Sequence, residues 1–175
     1  MEGDERTKKG KDIENTVAGG EKKDVKGTKT WAKVPDGAKV PEVTIKHLQN
    51  GKEYMLTIRK PPRATPYTYA TMYRSTYDPS GKEYKYTVEE VTPDGYESTK
   101  KGNDFENTYT GGDKKDVKGT KTWTKVPDGA EVPEVTIKLL QNGKEYKTTK
   151  VKNNADGTYS YEFKDLPTYA PSGKA

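Results

Sequence analysis

Hydrophobic and polar residues alternate in short runs along most of the chain. The alternation is clear in VTIKLL, YKTTKV and YSYEF, where β-branched, aliphatic or aromatic residues tend to occupy every second position. Turn-forming pairs such as Asp-Gly and Asn-Gly separate the runs, and no useful stretch has helical spacing. Six or seven short strands in about 90 residues are typical of a β-sandwich. The pattern therefore predicts an all-β protein built from Ig-like sandwiches.

The predicted strands belong to a sequence that occurs twice. KDVKGTKTW begins at Lys23 and again at Lys115, an offset of 92 residues (115 minus 23). At the same offset, the N-terminal stretch GDERTKKGKDIENTVAGG corresponds to GYESTKKGNDFENTYTGG. Only a counterpart of Tyr84–Thr92 is missing from the second copy. The predicted units are a terminal strand of a preceding or permuted repeat at 1–20, a complete domain at 21–112 and an incomplete domain at 113–175.

Composition narrows the classes of function. Hydrophobic residues make up 29% of the chain and cysteine is absent, so each domain must rely on a thin core without disulfides. The 32 basic and 27 acidic residues are interleaved, which argues against a nucleic-acid partner. No apolar stretch approaches the roughly 18 residues of a membrane helix, so no membrane partner is expected.

A single histidine, His47, limits the catalytic chemistry that the chain can carry. Neither a Ser-His-Asp triad nor a histidine-rich metal site is expected, and His47 is predicted to lie on the surface of a strand. No glycine-rich phosphate loop precedes a helix. The sequence therefore predicts no metal, no cofactor and no enzymatic activity on an external substrate.

Three polar residues fall on strand faces that also carry apolar side chains. They are Lys29 in VKGTKTW, Glu90 in YKYTVEE and Asn107 in DFENTYT. Because an unpaired buried polar group costs about 1 to 3 kcal/mol, and a charge more, the three are expected to meet. Burial lowers the pKa of a lysine and raises that of a glutamic acid. A neutral amine could then attack the carboxamide with the acid shuttling protons, which would give a Lys-Asn isopeptide bond.

These motifs resemble those of the Cna-B domains of Gram-positive adhesins and pilins. GTKTW would carry the lysine, YTVEE followed by PDGY the acid, and FENTYT the asparagine. The resemblance covers nearly the whole chain. It implies tandem Cna-B-type sandwiches, with Lys29 and Asn107 as bond partners and Glu90 as the catalytic acid. Glu89 would replace Glu90 if the strand held a one-residue bulge.

The resemblance also implies a function, which is a structural stalk or scaffold repeat of an adhesin on the bacterial cell-wall surface. Its only catalysis would be one turnover on itself. In the second copy, Lys121 has its matching asparagine at Asn15 on the N-terminal tail, but the strand that carries the acid is absent. One interpretation is head-to-tail self-association or a split isopeptide scaffold. The other is a longer repeat array cut at arbitrary boundaries.

The two copies diverge abruptly in one segment. Lys23–Tyr54 differs from the second copy at three of 32 positions, whereas Met55–Asp78 agrees at six of 24. Because the segment is rich in Tyr, Thr, Arg and Pro, one hypothesis is a natural or engineered binding surface for a protein ligand; neutral variation and recombination are the alternatives. Thr71 stands where the second copy has Phe163, which predicts a weaker core. The candidate surface residues are His47, Arg59, Arg63, Tyr67, Tyr69, Tyr73 and Arg74.

Overall fold

The computed structural model describes residues 4–154 and 158–175, without the side chains of residues 4–9, 12, 17 and 73. Within these residues every regular element is a strand, so the all-β prediction is confirmed. None of the described residues forms a helix that is long and apolar enough to cross a membrane. The described chain divides into two compact units: residues up to Gly112 together with Tyr169–Ala175 (unit 1), and Asp113–Thr168 (unit 2).

Unit 1 contains two facing sheets and a separate hairpin. Its strands are β1 (Asp4–Lys9), β2 (Asp12–Val17), β3 (Lys22–Ala32), β4 (Val43–Gln49), β5 (Lys52–Arg59), β6 (Tyr67–Ser75), β7 (Tyr86–Val91), β8 (Tyr96–Lys101) and β9 (Asp104–Tyr109). One sheet has the order β6-β3-β9-β8 and the other β5-β4-β7. The pairing of β3 with β9 is parallel and the others are antiparallel.

Strand alternation places the core of unit 1 between the two sheets. Trp31 and Tyr86 pack against it from the side. Bulges interrupt the register between Lys23 and Val25 and between His47 and Leu48. The buried cluster consists of Val25, Val43, Ile45, Tyr69, Val88 and Phe105.

Strands β1 and β2 form a two-stranded antiparallel hairpin, where the repeat predicts a single terminal strand. The hairpin turns at Gly10, which has a left-handed φ of 67°. At the offset of 92 residues it corresponds to β8 and β9. Ile13 of β2 is 68% exposed, whereas its counterpart Phe105 is buried in the core of unit 1.

Unit 2 repeats part of this architecture. Its strands are β10 (Lys114–Lys121), β11 (Thr136–Gln141), β12 (Lys144–Lys150), β13 (Lys152–Asn153) and β14 (Tyr159–Pro167). They form the sheets β10-β14-β13 and β11-β12. Bulges recur between Lys115 and Val117 and between Leu139 and Leu140. Strands β3 and β4 have extra partners in β9 and β7, but the described strands of unit 2 provide no counterpart on β10 or β11.

Candidate functional site

The two sheets of unit 1 bring three polar side chains into its core. Lys29 lies on β3 and Asn107 on β9, which are parallel neighbours in one sheet. Glu90 lies on β7 in the opposite sheet, where it faces Ile45 across the β4–β7 pair. The residues predicted from strand alternation therefore come from two adjacent inner strands of one sheet and from the sheet that faces it.

Lys29 and Glu90 form a buried ion pair. The distance between Lys29 Nζ and Glu90 Oε2 is 3.5 Å, and their side chains are 0% and 1% exposed. Lys29 Nζ also donates a hydrogen bond of 3.1 Å to the Thr30 carbonyl and lies 4.5 Å from the centroid of the Trp31 ring. The amine is thus held between an acid and an aromatic face.

Asn107 is fully buried beside this pair. Neither atom of its carboxamide has a regular hydrogen-bond partner among the described residues, and the same is true of both carboxylate oxygens of Glu90. Asn107 nevertheless lies close enough to Glu90 to oppose the upward shift of its pKa. A buried carboxamide and a buried acid with spare hydrogen-bonding capacity are costly to keep, and such groups concentrate at reactive sites.

Burial shifts both pKa values toward the neutral forms. Loss of hydration lowers the pKa of Lys29 to about 8, although the charges of Glu90 and Glu106 act in the opposite direction. Loss of hydration also raises the pKa of Glu90, against the effects of Lys29 and Asn107. The proton between them can therefore pass from the amine to the acid at small cost, which leaves an uncharged amine next to a carboxamide.

Glu89 lies on the opposite face of β7. Its side chain is exposed and pairs in register with Lys46. The β4–β7 register runs without a shift from Thr44 opposite Val91 to Gln49 opposite Tyr86. No bulge exchanges the two acids in this strand, so Glu90 is the one that contacts Lys29.

The residues of the second predicted site lie in different units. Lys121 is half-buried at the end of β10, donates a hydrogen bond of 2.7 Å to the Thr122 carbonyl and lies 4.2 Å from the Trp123 ring centroid. It lines a cavity of about 390 Å³ with Trp123, Val151 and Tyr159. Asn15 is exposed on β2 of unit 1. Lys121 therefore lies beside a tryptophan ring, as Lys29 does, but at an open cavity and not in a buried core.

The predicted binding surface is only partly at the surface. Arg59 and Arg63 are exposed, and the Arg59 guanidinium lies 5.0 Å from the Tyr67 ring centroid. The surface prediction is wrong for His47, which is fully buried, and for Tyr69, which is 5% exposed. Tyr73 lies on β6, but its side chain is outside the described part of the chain. In the described part of the chain, Tyr67 Oη and Arg74 Nε are buried atoms without a hydrogen-bond partner, although Arg74 Nη2 donates a hydrogen bond of 3.5 Å to Met55 Sδ.

His47 occupies a polar pocket inside unit 1. Its Nε2 is 2.8 Å from Thr57 Oγ1, and its ring meets Tyr54 and Tyr69 edge-on at centroid distances of 6.4 and 5.9 Å. Burial, with the charge of Arg74, lowers the pKa of His47 below its usual 6.5. A neutral imidazole is therefore the form that this core accepts.

Sequence reasoning missed three exposed apolar side chains in the divergent segment. Leu56 is 45% exposed, Ile58 56% and Met72 53%. The second copy has Thr148, Lys150 and Lys164 at these positions. Combining the alignment of the two copies with strand parity could have identified them. Among the described residues, no cluster of three or more acidic or histidine side chains could hold a metal ion.

Comparison with known proteins shows which family the chain matches. The family described as "Cna protein B-type domain" matches residues 25–108 and 117–175. A collagen adhesin of Staphylococcus aureus is 36% identical over 101 residues. The match covers 53% of this chain but only 8% of that adhesin, so the chain spans a small part of its relative.

Two solved structures are similar to this chain. A crystal structure of two B repeat units (B1B2) of the collagen-binding protein of S. aureus has a TM-score of 0.50 and 23% identity, covering 97% of this chain and 46% of that chain. A single B repeat unit (B1) of the same protein has a TM-score of 0.46 and 25% identity, with 86% and 80% coverage. The two-repeat structure supports a shared fold.

Proposed function

Since this chain belongs to the family of Cna protein B-type domains, we propose that it is a structural repeat of an adhesin on a bacterial cell surface. The adhesin relative supports an extracellular position in a stalk that carries other parts of a larger protein. In this proposal, unit 1 is braced by a covalent isopeptide bond between Lys29 and Asn107, and Glu90 catalyses its formation.

The observation that carries the proposal is the buried group of Lys29, Glu90 and Asn107. Lys29 and Glu90 are 3.5 Å apart, and the carboxamide beside them lacks a regular hydrogen-bond partner in the described part of the chain. Reaction would replace a buried amine with a neutral amide and thereby remove the cost of burying its charge. Holding reactants in this way can raise a rate by several orders of magnitude.

The proposed reaction balances without any cofactor. Protonated Glu90 donates a hydrogen bond to the Asn107 carbonyl oxygen and polarises it. Neutral Lys29 attacks the carbonyl carbon through Nζ, and the nitrogen gives up one proton as the tetrahedral intermediate breaks down. The carboxamide nitrogen leaves as ammonia, with Glu90 passing protons from one nitrogen to the other. One C–N bond forms, one breaks, and Glu90 ends in its starting state.

The position of the bond suits a load-bearing stalk. Strand β3 begins the complete domain and β9 ends it, and the two strands are direct neighbours. A bond between Lys29 and Asn107 would close a loop that holds β4 to β8. Force applied to the two ends of the domain would then pass through a covalent bond near the termini, and the enclosed strands would bear little of it.

The test is the intact mass of the purified 175-residue chain under denaturing conditions. We expect a mass lower than the sequence mass by about 17 Da, the mass of one ammonia. The loss should be single because the second copy has no acid-bearing strand. Lys29→Ala and Glu90→Ala should restore the full mass, whereas Glu89→Ala, the matched control, should keep the loss. A wild-type chain at full mass would contradict the proposal.

Binding of a protein ligand through segment 55–78 and head-to-tail assembly of chains stay predictions.

A further inference from the structure

The end of the chain belongs to the second copy by sequence but packs within unit 1. Tyr169 donates its backbone N–H to the Gly111 carbonyl at 2.9 Å. In return, the Tyr109 hydroxyl donates a hydrogen bond of 2.7 Å to the Tyr169 carbonyl, and the Tyr96 hydroxyl donates one to the Pro171 carbonyl. Two tyrosine hydroxyls and one glycine carbonyl thus hold three backbone groups of this segment.

The C-terminal segment also fits the shape of the site that it contacts. The segment makes a turn in which Gly173 N–H donates to the Ala170 carbonyl at 2.9 Å, with Pro171 at the second position and Gly173 at the fourth. Those are favoured positions for proline and glycine in a type I turn. A Cβ atom on Gly95 would lie 2.8 Å from Tyr169 Cβ, so the close approach requires glycine there.

The docked segment is a recurring motif. Thr-Tyr-x-Pro-Ser-Gly-Lys occurs at 76–82 and again at 168–174. The first occurrence makes the same turn, with Gly81 N–H donating to Asp78 at 3.0 Å, and Tyr77 N–H donates to Gly19 at 3.0 Å. Gly19 corresponds to Gly111 at the offset of 92 residues. The contact between the motif and the Gly-Gly corner of the repeat before it therefore occurs twice.

The sites that contact the two motifs differ at the positions of two tyrosines. At the positions of Tyr96 and Tyr109, the N-terminal hairpin has Asp4 and Val17, which offer no phenol hydroxyl. Tyr96 is only 7% exposed, and its burial raises its pKa to about 12, so it remains a hydrogen-bond donor across the physiological range. The complete contact is therefore specific to the end of the first copy.

We propose that Gly95, Tyr96, Tyr109 and Gly111, called the tyrosine cradle, form a binding site for the Thr-Tyr-x-Pro-Ser-Gly-Lys segment of the copy that follows. The cradle recognises backbone carbonyls and the proline-glycine turn. None of these contacts uses the side chain at the x position. Each copy that retains the two tyrosines would hold the following copy in this way. The site does not depend on the isopeptide bond.

Hydrogen exchange of the full chain, measured residue by residue by NMR, tests the proposal. In the Tyr96→Phe/Tyr109→Phe variant, the amide of Tyr169 should exchange at least about tenfold faster than in the wild type. The amide of Tyr77, bonded to Gly19, should be unchanged and serves as the internal control. Retained protection of β8 and β9 would show that unit 1 is folded. Equal exchange at Tyr169 in both proteins would overturn the proposal.

Two glycine substitutions distinguish a steric clash in the cradle from the effect of backbone strain alone. Gly95 and Gly102 both have left-handed φ angles, 83° and 61°, but a Cβ on Gly102 meets nothing within 4 Å. Gly95→Ala should speed exchange at Tyr169, and Gly102→Ala should not. Ala170→Asp, which copies the residue of the first motif, should keep the protection. Loss of protection in Ala170→Asp would show that the cradle does not recognise the shared motif.

Discussion

Burial determines the protonation of Lys29, because a single carboxylate replaces only part of the water that would hydrate its ammonium ion. The side chain is 0% exposed, and the nearest Glu90 oxygen is 3.5 Å from Nζ. An ion pair at this distance does not fully offset the loss of hydration in a protein interior. The pKa of Lys29 therefore falls to about 8 in spite of its partner. Keeping Lys29 buried therefore carries a free-energy cost that depends on pH.

We expect this cost to appear in the unlinked Asn107→Ala chain. Between pH 8 and 10.5 the folded state releases the Lys29 proton while the unfolded state, with its pKa near 10.5, retains it. Because the unfolded state binds more protons in this range, stability should rise with pH. The measurement is the urea midpoint of Asn107→Ala from pH 7 to 10.5, compared with Asn107→Ala/Lys29→Met.

The double variant cancels the titration of tyrosines and other lysines, which both proteins share. The difference between the two midpoints should change through this range in favour of the lysine-containing chain. Parallel curves would mean that Lys29 has an ordinary pKa in the fold.

Strand parity identifies the buried polar residues of the candidate site, and His47 follows the same rule. Lys29, Glu90 and Asn107 could be identified because each shares a strand face with large apolar residues. The same rule puts His47 on the face of Val43 and Ile45, which is buried. Because histidine is polar, a surface position was predicted for it. Its hydrogen-bond partner in the core, Thr57, lies on another strand, β5, which belongs to the divergent segment. Such a compensating partner cannot be recognised from a single strand.

At the scale of the elements, β4, β5 and β6 taken together differ in polarity from the second copy at both inward and outward positions. Inward positions that hold apolar residues in the second copy carry polar residues here, namely His47, Thr71 and Arg74 for Leu139, Phe163 and Leu166. Outward positions have changed in the opposite sense. The polar interior is partly satisfied, since the Arg74 guanidinium lies 4.9 Å from the Tyr54 ring centroid and Thr71 Oγ1 is 3.5 Å from Tyr54 Oη.

This exchange should make unit 1 sensitive to mild acid. The pKa of His47 is below 6.5 in the fold, so the unfolded state takes up a proton first as the pH falls. Stability should therefore decrease below pH 6.5, by up to about 1.4 kcal/mol per pH unit. In the described part of the chain, the charged and titratable groups that interact with the imidazole are Arg74 and Tyr69 from β6 and Tyr54 from β5, and none of them carries a carboxylate.

The measurement compares the urea midpoints of Asn107→Ala and Asn107→Ala/His47→Leu from pH 7.5 to 5. Leucine is the residue of the second copy at this position, so the variant restores an apolar core that the fold already uses. His47 is the only histidine in the chain, and other titrations cancel between the two proteins. The midpoints should diverge below pH 6.5. Curves that stay parallel would show that His47 is not held neutral.

For the whole molecule, the repeat predicted the two copies but not the packing of the C-terminal segment Tyr169–Ala175 within unit 1. The offset of 92 residues fixes where the sequence recurs, and the boundary after Gly112 follows from it. The assignment of Tyr169–Ala175 to unit 1 depends instead on hydrogen bonds from Tyr96 and Tyr109, which are about 60 to 75 residues away in sequence. Contacts at that separation leave no local pattern in the chain.

The two units differ in the size of their cores. Buried hydrophobic side chains of unit 1 come from six of its strands, whereas those described in unit 2 are Phe163 and Leu166, both on β14. Val117, Leu140 and Tyr146 of unit 2 are each at least 40% exposed. Because apolar burial provides most of the favourable free energy of folding, unit 2 should be the less stable of the two.

We therefore expect two unfolding transitions, with unit 2 unfolding first. The chain has two tryptophans, Trp31 in unit 1 and Trp123 in unit 2, so Trp123→Phe and Trp31→Phe each leave a fluorescence reporter for one unit. The Trp123 transition should have a midpoint lower by at least about 1 M urea. Adding Asn107→Ala should lower the Trp31 midpoint, since it would prevent the proposed isopeptide bond in unit 1, and should leave the Trp123 midpoint unchanged. Coincident transitions in the chain that retains Asn107 would contradict this order. They would mean that the two units unfold as one cooperative structure, whichever tryptophan reports.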